Sequence, residues 1–426
     1  MGTDDFQRYL QNVCQDFRDR CTRCGKCFEV CPIVEFTSAQ DRKPEEVTAA
    51  VCAFLGGGDL LPEVASWAER CTGSARCNQA CPEGLNFRLA IGIVNTRVKA
   101  LKASVEPTTV PNYYKRMSQT VRLLVGLQVP PETLAGIAAG RARAQASAEI
   151  VLYLGCNVLR NPNIFLAAMD VFDALGFDYA VLGGVANCCG VVHFKMQGDI
   201  SGSDVLASGT LEKLRGFNPG TVVTWCPTCQ LHFTETRGGY AQYPFEIIHI
   251  SNFLARHLRL LRPRLVAPIN KRVALHEHAG VPGVAESVRA VLSAIPGLTL
   301  VEVPKAASVA YTCGPGALGL IPALQQQVYG ELLEGCRAQG IDLLVDLYHT
   351  CHRLLCGVER EYSFEITNWI PLVATAMGLE PHADLFRRYK SYGDVERVLE
   401  EAKELVAQHR LDPDEVREFL YAMMDT

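Results

Sequence analysis

Short apolar runs recur along the chain after residue 150, each bounded by turn-forming residues. The first three of them cover residues 151–154, 179–182 and 222–225. Runs of this length that are rich in β-branched and aromatic residues are typical of buried strands. We therefore predict three strands in this region, with their ends at one edge of a sheet.

A weaker copy of the same pattern follows. Apolar runs lie at residues 273–275, 309–311 and 343–345, and the positions that follow them repeat those of the first copy at offsets of 123 (156 to 279), 124 (189 to 313) and 122 (229 to 351) residues. Self-similarity at a fixed period is the signature of repeated structural units. The sequence therefore predicts two stacked copies of one α/β unit.

The two ends of the chain instead carry apolar residues at helical spacing. In the N-terminal part we predict helices over residues 4–20, 44–55 and 84–104. Residues 384–426 show the same periodicity and predict a helical tail, which caps the fold or docks a partner. Between these parts, residues 105–148 contain several prolines among apolar pieces. We predict that they form a helical connector.

Composition and charge exclude several classes of function. The formal net charge is −5, and there is no basic patch of the kind that nucleic-acid binding requires. No apolar run reaches 18 residues, so no transmembrane helix is expected. The chain has 18 cysteines and an acidic N-terminus without a signal-peptide core, which indicates metal or redox use in a reducing compartment. We therefore predict a cytoplasmic protein that reaches a membrane only through a partner.

Cysteines follow each of the first three predicted strands. Thiolates are soft ligands that suit iron–sulfur clusters and zinc, and four ligands satisfy a structural zinc ion. Five thiols at one site favour a cluster over a single ion, whereas the alternative is a set of buried structural thiols. The five residues are Cys156, Cys188, Cys189, Cys226 and Cys229.

This arrangement, C-x(n)-C-C-G-x(m)-C-x2-C, resembles the CCG domain of heterodisulfide reductase and of the glycolate oxidase iron–sulfur subunit. The resemblance implies that the five cysteines hold a non-cubane [4Fe–4S] cluster, with Cys188 and Cys189 at the catalytic centre. His193 follows closely and could donate a proton during thiol release, because imidazole titrates near neutral pH. The alternative for His193 is an ordinary loop histidine with its hydrogen bonds satisfied.

The N-terminal part contains two further cysteine runs, each ending in C-P. The first matches the complete bacterial ferredoxin motif C-x2-C-x2-C-x3-C-P. In the second run, Ser74 stands where the second cysteine would be. The first run comprises Cys21, Cys24, Cys27 and Cys31, and the second comprises Cys71, Ser74, Cys77 and Cys81.

In two-cluster ferredoxins the fourth cysteine of each run serves the other cluster. The first cluster, of [4Fe–4S] type, would then have Cys81 as its fourth ligand, and the second would have Cys31. Three thiolates suit a [3Fe–4S] cluster at the second site, and the C-x5-C-x3-C-P spacing resembles that of the succinate dehydrogenase and fumarate reductase iron–sulfur subunit. The alternative is a second [4Fe–4S] cluster, with Ser74 or solvent at the fourth iron.

The second copy of the repeat has kept only two of the five cysteines. Ala279, Thr312 and Tyr348 stand at the other three positions. Two cysteines and two histidines make an ordinary zinc site, and the candidates for it are Cys313, Cys351, His278 and His349. The alternatives are a scaffold that has lost its metal or a pocket that receives the substrate. The resembling family also has a histidine at the position of His276, so this residue could be kept for structure alone.

Together these motifs predict an α+β and α/β protein. A small helical two-cluster ferredoxin-like domain is followed by two pseudo-repeated α/β CCG units and a helical C-terminal tail. The predicted boundaries are 1–104 for the ferredoxin-like domain, 105–148 for the connector, 149–265 and 266–377 for the two CCG units, and 378–426 for the tail.

The resemblance to heterodisulfide reductase implies an iron–sulfur electron-transfer subunit of an oxidoreductase complex. Electrons would pass between the ferredoxin-type clusters and the CCG cluster, where a disulfide-type substrate is reduced or formed. The expected partners are flavin- or iron–sulfur-containing subunits and a disulfide, thiol or sulfur-carrier protein as substrate. The alternative is a pure electron relay between a flavoprotein dehydrogenase and a quinone or ferredoxin partner.

Overall fold

The computed structural model describes residues 3–105, 112–138, 147–303 and 311–424. Its N-terminal part is helical, as predicted. The predicted helix over residues 44–55 is reproduced at both ends, because Pro44 suits the first helical turn and Gly56 follows the last residue. The helices are α1 (Thr3–Arg20), α2 (Lys26–Glu29), α3 (Pro44–Leu55), α4 (Pro62–Glu69), α5 (Arg76–Ala80) and α6 (Phe87–Val105).

Two parallel four-stranded sheets follow, and they have the same strand order. The first sheet runs β2-β1-β3-β4 and the second runs β6-β5-β7-β8. Identical order confirms the predicted pair of α/β units. The strands are β1 (Ile150–Gly155), β2 (Tyr179–Gly183), β3 (Thr221–Thr224), β4 (Glu246–His249), β5 (Arg272–His276), β6 (Thr299–Leu300), β7 (Leu343–Asp346) and β8 (Glu365–Asn368).

Three details of the sheets differ from the sequence prediction. The edge strands β4 and β8 were not predicted, because their short runs carry exposed charged residues at the start. The strand predicted at 309–311 is replaced by β6, ten residues earlier along the chain. Tyr311 is not in a strand, and the rest of that predicted strand lies outside the described residues.

The helices of the two units pack against each other in reciprocal pairs. Helix α9 of the first unit packs on α17 of the second, and α12 of the first packs on α14 of the second. One apolar core therefore joins both sheets. The helices of the units are α9 (Pro162–Ala174), α10 (Ile200–Gly216), α11 (Pro227–Leu231), α12 (Ile250–Arg256), α13 (Leu258–Leu261), α14 (Val284–Leu292), α15 (Pro322–Ala338), α16 (His349–Leu355) and α17 (Trp369–Ala376).

The connector and the tail pack together. Connector helices α7 (Tyr113–Gly126) and α8 (Pro131–Ala138) are followed by residues 139–146 of the predicted connector, which lie outside the described part. The tail forms α18 (Leu385–Tyr392), α19 (Val395–Gln408) and α20 (Pro413–Met424). Apolar residues of α7, α19 and α20 share one core, so the tail caps the connector. Among the described residues, no helix has the length and apolar character needed to span a bilayer.

Candidate functional site

The first ferredoxin-type site is formed by the N-terminal cysteine run and the last cysteine of the second run. Burial raises the pKa of Cys27 to about 12, and the charges of Cys21, Cys24 and Cys81 add to this rise. Since Cys81 acts on Cys27 together with Cys21 and Cys24, the structure places Cys81 within electrostatic range of the first run. Cys81 is the residue that the sequence analogy with two-cluster ferredoxins assigns to this site.

The second ferredoxin-type site joins Cys31 to the second run. Burial raises the pKa of Cys77, and the charges of Cys71 and Cys31 raise it further. A cavity is lined by these three cysteines and by Ser74. The indole N–H of Trp67 donates to the sulfur of Cys31 at 3.2 Å, an interaction that stabilises a thiolate.

The backbones of the two runs follow the same path, which identifies the place of Ser74. The third and fifth residues of the first run, Arg23 and Gly25, have φ values of 58° and 77°. Their counterparts Gly73 and Ala75 have φ values of 74° and 61°. Left-handed backbone at both positions is unusual for arginine and alanine. Ser74 therefore occupies the position in its loop that a cysteine occupies in the first loop.

The third site gathers the five cysteines of the CCG motif at the ends of β1, β2 and β3. All five are buried. The sulfurs of Cys156 and Cys188 are 3.9 Å apart, and Cys189 and Cys226 both raise the pKa of Cys229. Hydrogen bonds from Cys156 and Cys189 lower the pKa of Cys188 to about 3, and the N–H of Gly190 and the charge of His193 add to this effect.

The glycine that ends β1 leaves space beside these sulfurs. Gly155 has a φ of +67°, and a Cβ there would lie 3.2 Å from the sulfur of Cys229. A group of five buried thiols beside a glycine fits a multi-iron cluster better than a single ion, because one ion needs only four ligands. The residues of this site therefore fit the cofactor that the resemblance implies.

His193 lies beside this site in a defined orientation. Its Nδ1 is 2.7 Å from the carboxylate of Asp199, which also accepts from the N–H of Gly202 at the start of α10. A carboxylate accepts, so Nδ1 carries the hydrogen and Nε2 is left for another partner. The ring of Tyr114 lies 4.7 Å from the imidazole ring and limits its rotation.

Several residues near the CCG cysteines were missed by sequence reasoning. The Tyr153 hydroxyl is buried and donates to the carbonyl of Asn187, next to Cys188, at 2.7 Å. Burial lowers the pKa of Arg160, four residues after Cys156, to about 10, and that of Arg353 to about 9. Arg353 could not be found from its spacing to the cysteines, because it belongs to the second unit.

The second unit gathers a smaller group of ligand-type side chains. One ligand atom from each of His276, His278, Cys313 and Cys351 lies within 4.8 Å of every other. His349, which the sequence predicts as a member of such a group, does not take part, because its Nδ1 accepts a hydrogen bond from the indole of Trp225 at 3.1 Å. His276 takes its place.

Comparison with known proteins gives two domain matches. Residues 18–85 match the 4Fe-4S dicluster domain, which includes both N-terminal cysteine runs. Residues 150–234 match the cysteine-rich domain known as CCG, which includes all five cysteines of the third site. The chain therefore contains an iron–sulfur dicluster domain followed by a CCG domain, as the motifs predict.

Similar proteins align with most of the chain. One subunit of dihydromethanophenazine:CoB–CoM heterodisulfide reductase from Methanosarcina mazei is 26% identical over 403 residues, covering 85% of this chain and 94% of the relative. One subunit of the CoM/CoB fumarate reductase from Methanothermobacter marburgensis is 24% identical over 353 residues, covering 79% of this chain and 68% of the relative. A probable membrane-anchored ferredoxin from Chromohalobacter salexigens is 24% identical and matches over 50% of its own length. The first two relatives are subunits of oxidoreductases.

Proposed function

We propose that this chain, in which a 4Fe-4S dicluster domain precedes a CCG domain, is an iron–sulfur electron-transfer subunit of an oxidoreductase complex that reduces or forms a disulfide-type substrate. The observation that carries this proposal is the group of five buried cysteine thiols at three strand ends, with an oriented histidine beside it. The names of the two oxidoreductase relatives support a substrate of the disulfide or thiol class.

We assign a cofactor to each site from its donor set. The crossed first site would hold a [4Fe–4S] cluster on Cys21, Cys24, Cys27 and Cys81. The second would hold a [3Fe–4S] cluster on Cys31, Cys71 and Cys77, because Ser74 replaces the fourth thiolate. The five CCG cysteines would hold a non-cubane [4Fe–4S] cluster. When bound, these clusters supply electrons one at a time, whereas a disulfide takes two electrons and two protons to become two thiols.

The chain itself keeps the dicluster domain against the first unit. On α6, the hydroxyl of Thr96 donates to the carbonyl of Phe194 at 3.0 Å, in the segment that follows the Cys188–Cys189 pair. The guanidinium of Arg88, also on α6, pairs with the carboxylate of Glu235, which lies just after Cys229. Because these contacts tie the dicluster domain to both cysteine segments, the separation between the sites is fixed by the fold.

His193 handles a proton in this proposal. Asp199 accepts from Nδ1–H and so fixes which nitrogen of the ring faces away from it. A protonated Nε2 can donate to a departing thiolate sulfur of the substrate, and in the reverse direction a neutral Nε2 can take the proton from a thiol. Proton transfer by a positioned histidine of this kind contributes about 10²–10⁴-fold to a rate.

Low-temperature EPR of the anaerobic, oxidised protein tests the proposal. We expect a new signal on addition of a thiol, and we expect this signal to be absent in Cys189→Ser. The matched control is Cys336→Ser, because Cys336 is equally buried but lies in α15, away from the three sites.

Two outcomes would contradict a substrate site at the CCG cysteines. A [3Fe–4S]-type signal that no thiol changes would leave the protein a pure relay between other redox proteins. An iron content that fits a single cubane cluster would refute the assignment of the five CCG cysteines altogether.

A further inference from the structure

The second unit holds a compact set of metal-type ligands that the proposed function does not use. The Nε2 of His276 lies 3.2 Å from the sulfur of Cys313, and the Nε2 of His278 lies 3.0 Å from the sulfur of Cys351. All four ligand atoms are within 4.8 Å of one another. We propose that these side chains bind one divalent transition-metal ion, and that this ion is zinc.

The donor set and its burial suit zinc. Two thiolates and two imidazoles are a usual tetrahedral set for a structural zinc ion. Two thiolate charges balance the two charges of the ion, so the occupied site is neutral overall. Neutrality matters here because His276 and Cys351 are both fully buried, and a buried net charge would be strongly unfavourable.

The backbone around β5 aims both imidazoles at one point. Alternate residues of an extended chain face the same side, and His276 and His278 are two residues apart at the end of this strand. The Nδ1 of His278 lies 2.6 Å from the carbonyl oxygen of Ala279. A carbonyl can only accept, so Nδ1 carries the hydrogen and the lone pair of Nε2 faces Cys351. A ligating histidine usually donates its other N–H in this way.

The site has room for one ion and not for a cluster, as the first unit shows by comparison. In the first sheet Tyr153 pairs with Thr224, two residues before Cys226, and in the second His276 pairs with Asp346, two residues before Tyr348. His276 therefore corresponds to Tyr153.

The same register makes His278 the counterpart of Gly155. The first unit keeps that position free of a side chain beside the sulfur of Cys229. The second unit fills it with an imidazole beside Cys351, the counterpart of Cys229. The space that a multi-iron cluster would need in the second unit is taken by ligand side chains.

An ion at this point would also brace the dicluster domain. The residue before Cys313, Thr312, donates its hydroxyl to the carbonyl of Thr72, which is next to Cys71. The hydroxyl of Tyr311 donates to the carbonyl of Pro32, next to Cys31, at 3.2 Å. Metal binding at Cys313 would therefore fix Tyr311 and Thr312, which contact the backbone beside two cysteines of the second ferredoxin-type site.

Metal analysis of the full-length, anaerobically purified protein tests this site, with zinc and iron supplied during production. We expect about one zinc per chain, and a zinc-edge X-ray absorption spectrum with two sulfur ligands at about 2.3 Å and two nitrogen ligands at about 2.0–2.1 Å. Zinc that had displaced iron from a ferredoxin-type or CCG site would instead show three or four sulfur ligands and no histidine nitrogen, which would count against the proposal.

Variants separate the ligands from their neighbours. His278→Gln and Cys313→Ser should each lower bound zinc at least tenfold while the iron content stays constant. The matched control is His349→Gln, which alters a buried histidine of the same unit that faces Trp225, and it should keep its zinc.

Three results would overturn the proposal. They are a wild-type protein that binds no zinc, a His278→Gln variant that keeps the wild-type amount, or iron in place of zinc at this position. Because the readout is the wild-type ion and its ligands, the result does not depend on whether the first unit acts on a disulfide.

Discussion

Replacing Gly190 by alanine should disrupt the CCG site through the backbone alone. Gly190 has a φ of +82°, and a Cβ there would lie 2.3 Å from the carbonyl oxygen of Ser203, a backbone atom of α10 that cannot rotate away. Left-handed backbone costs an L-residue about 1–2 kcal/mol, and relief of an overpacked contact costs about 1–3 kcal/mol more. We therefore expect a loss of about 2–5 kcal/mol in the free energy of unfolding.

The loss should also appear at the metal site. The N–H of Gly190 donates to the sulfur of Cys188 at 3.4 Å, so a shift of this loop away from Ser203 moves the adjacent cysteine pair. We expect Gly190→Ala to lose the iron of one cluster and to keep the iron of the two ferredoxin-type sites. Urea unfolding followed by circular dichroism gives the stability change, and iron analysis together with EPR gives the cluster change.

Gly176→Ala is the matched control. Gly176 also has a left-handed backbone, with a φ of +74°, but apart from its chain neighbours no heavy atom of the described residues lies within 4 Å of the place where a Cβ would stand. The Gly176→Ala variant should lose only about 1–2 kcal/mol in the free energy of unfolding, from backbone strain, and its iron content should stay unchanged. If the two variants were equally stable and equally rich in iron, the contact with Ser203 would not be the cause, and the reasoning would be refuted.

Two further predictions concern buried charge in the first unit. Asp204→Ala should lower the free energy of unfolding by about 3–5 kcal/mol, because Arg237 stays buried without the carboxylate that lies 2.7 Å from it. In urea unfolding, the double variant Asp204→Ala/Arg237→Met should recover much of this loss. A double variant as unstable as Asp204→Ala would contradict the explanation. Burial, with a contribution from Arg237, lowers the pKa of His232 to about 3 in the folded protein. The unfolded chain takes up a proton at this residue near pH 6.5, whereas the folded protein does not. The contribution of neutral His232 to stability is therefore complete above about pH 6.5 and is lost as the pH falls towards 3. Between pH 7 and pH 5 the wild-type protein should therefore lose about 2 kcal/mol more than His232→Gln, and equal pH dependence of the two proteins would show that folding does not lower the pKa of His232.

The sequence by itself determined the iron–sulfur motifs, the element types around them and the existence of two related units. Cysteines at fixed short spacing have few ways to fold, so the runs near Cys21 and Cys71 could be assigned without coordinates. The strands β1, β2 and β3 follow from apolar runs, and parallel strands necessarily bring their ends to one sheet edge. The repeat could be recognised because Ala279, Cys313 and Cys351 keep the spacing of Cys156, Cys189 and Cys229.

Only the tertiary structure decided which side chains of the second unit meet. His349 and Cys351 lie two residues apart at the start of α16, about 200° apart around the helix, so they face different sides. His276 is the last residue of β5 and His278 follows two residues later, so the alternation of the strand brings both to one side.

The contact between Thr312 and Thr72 joins residues 240 positions apart. Local spacing fixes the direction of a side chain only within its own element, and the packing of distant elements chooses its partners. For that reason the sequence indicated the candidate histidines of the second unit, but only the fold showed which four side chains lie together.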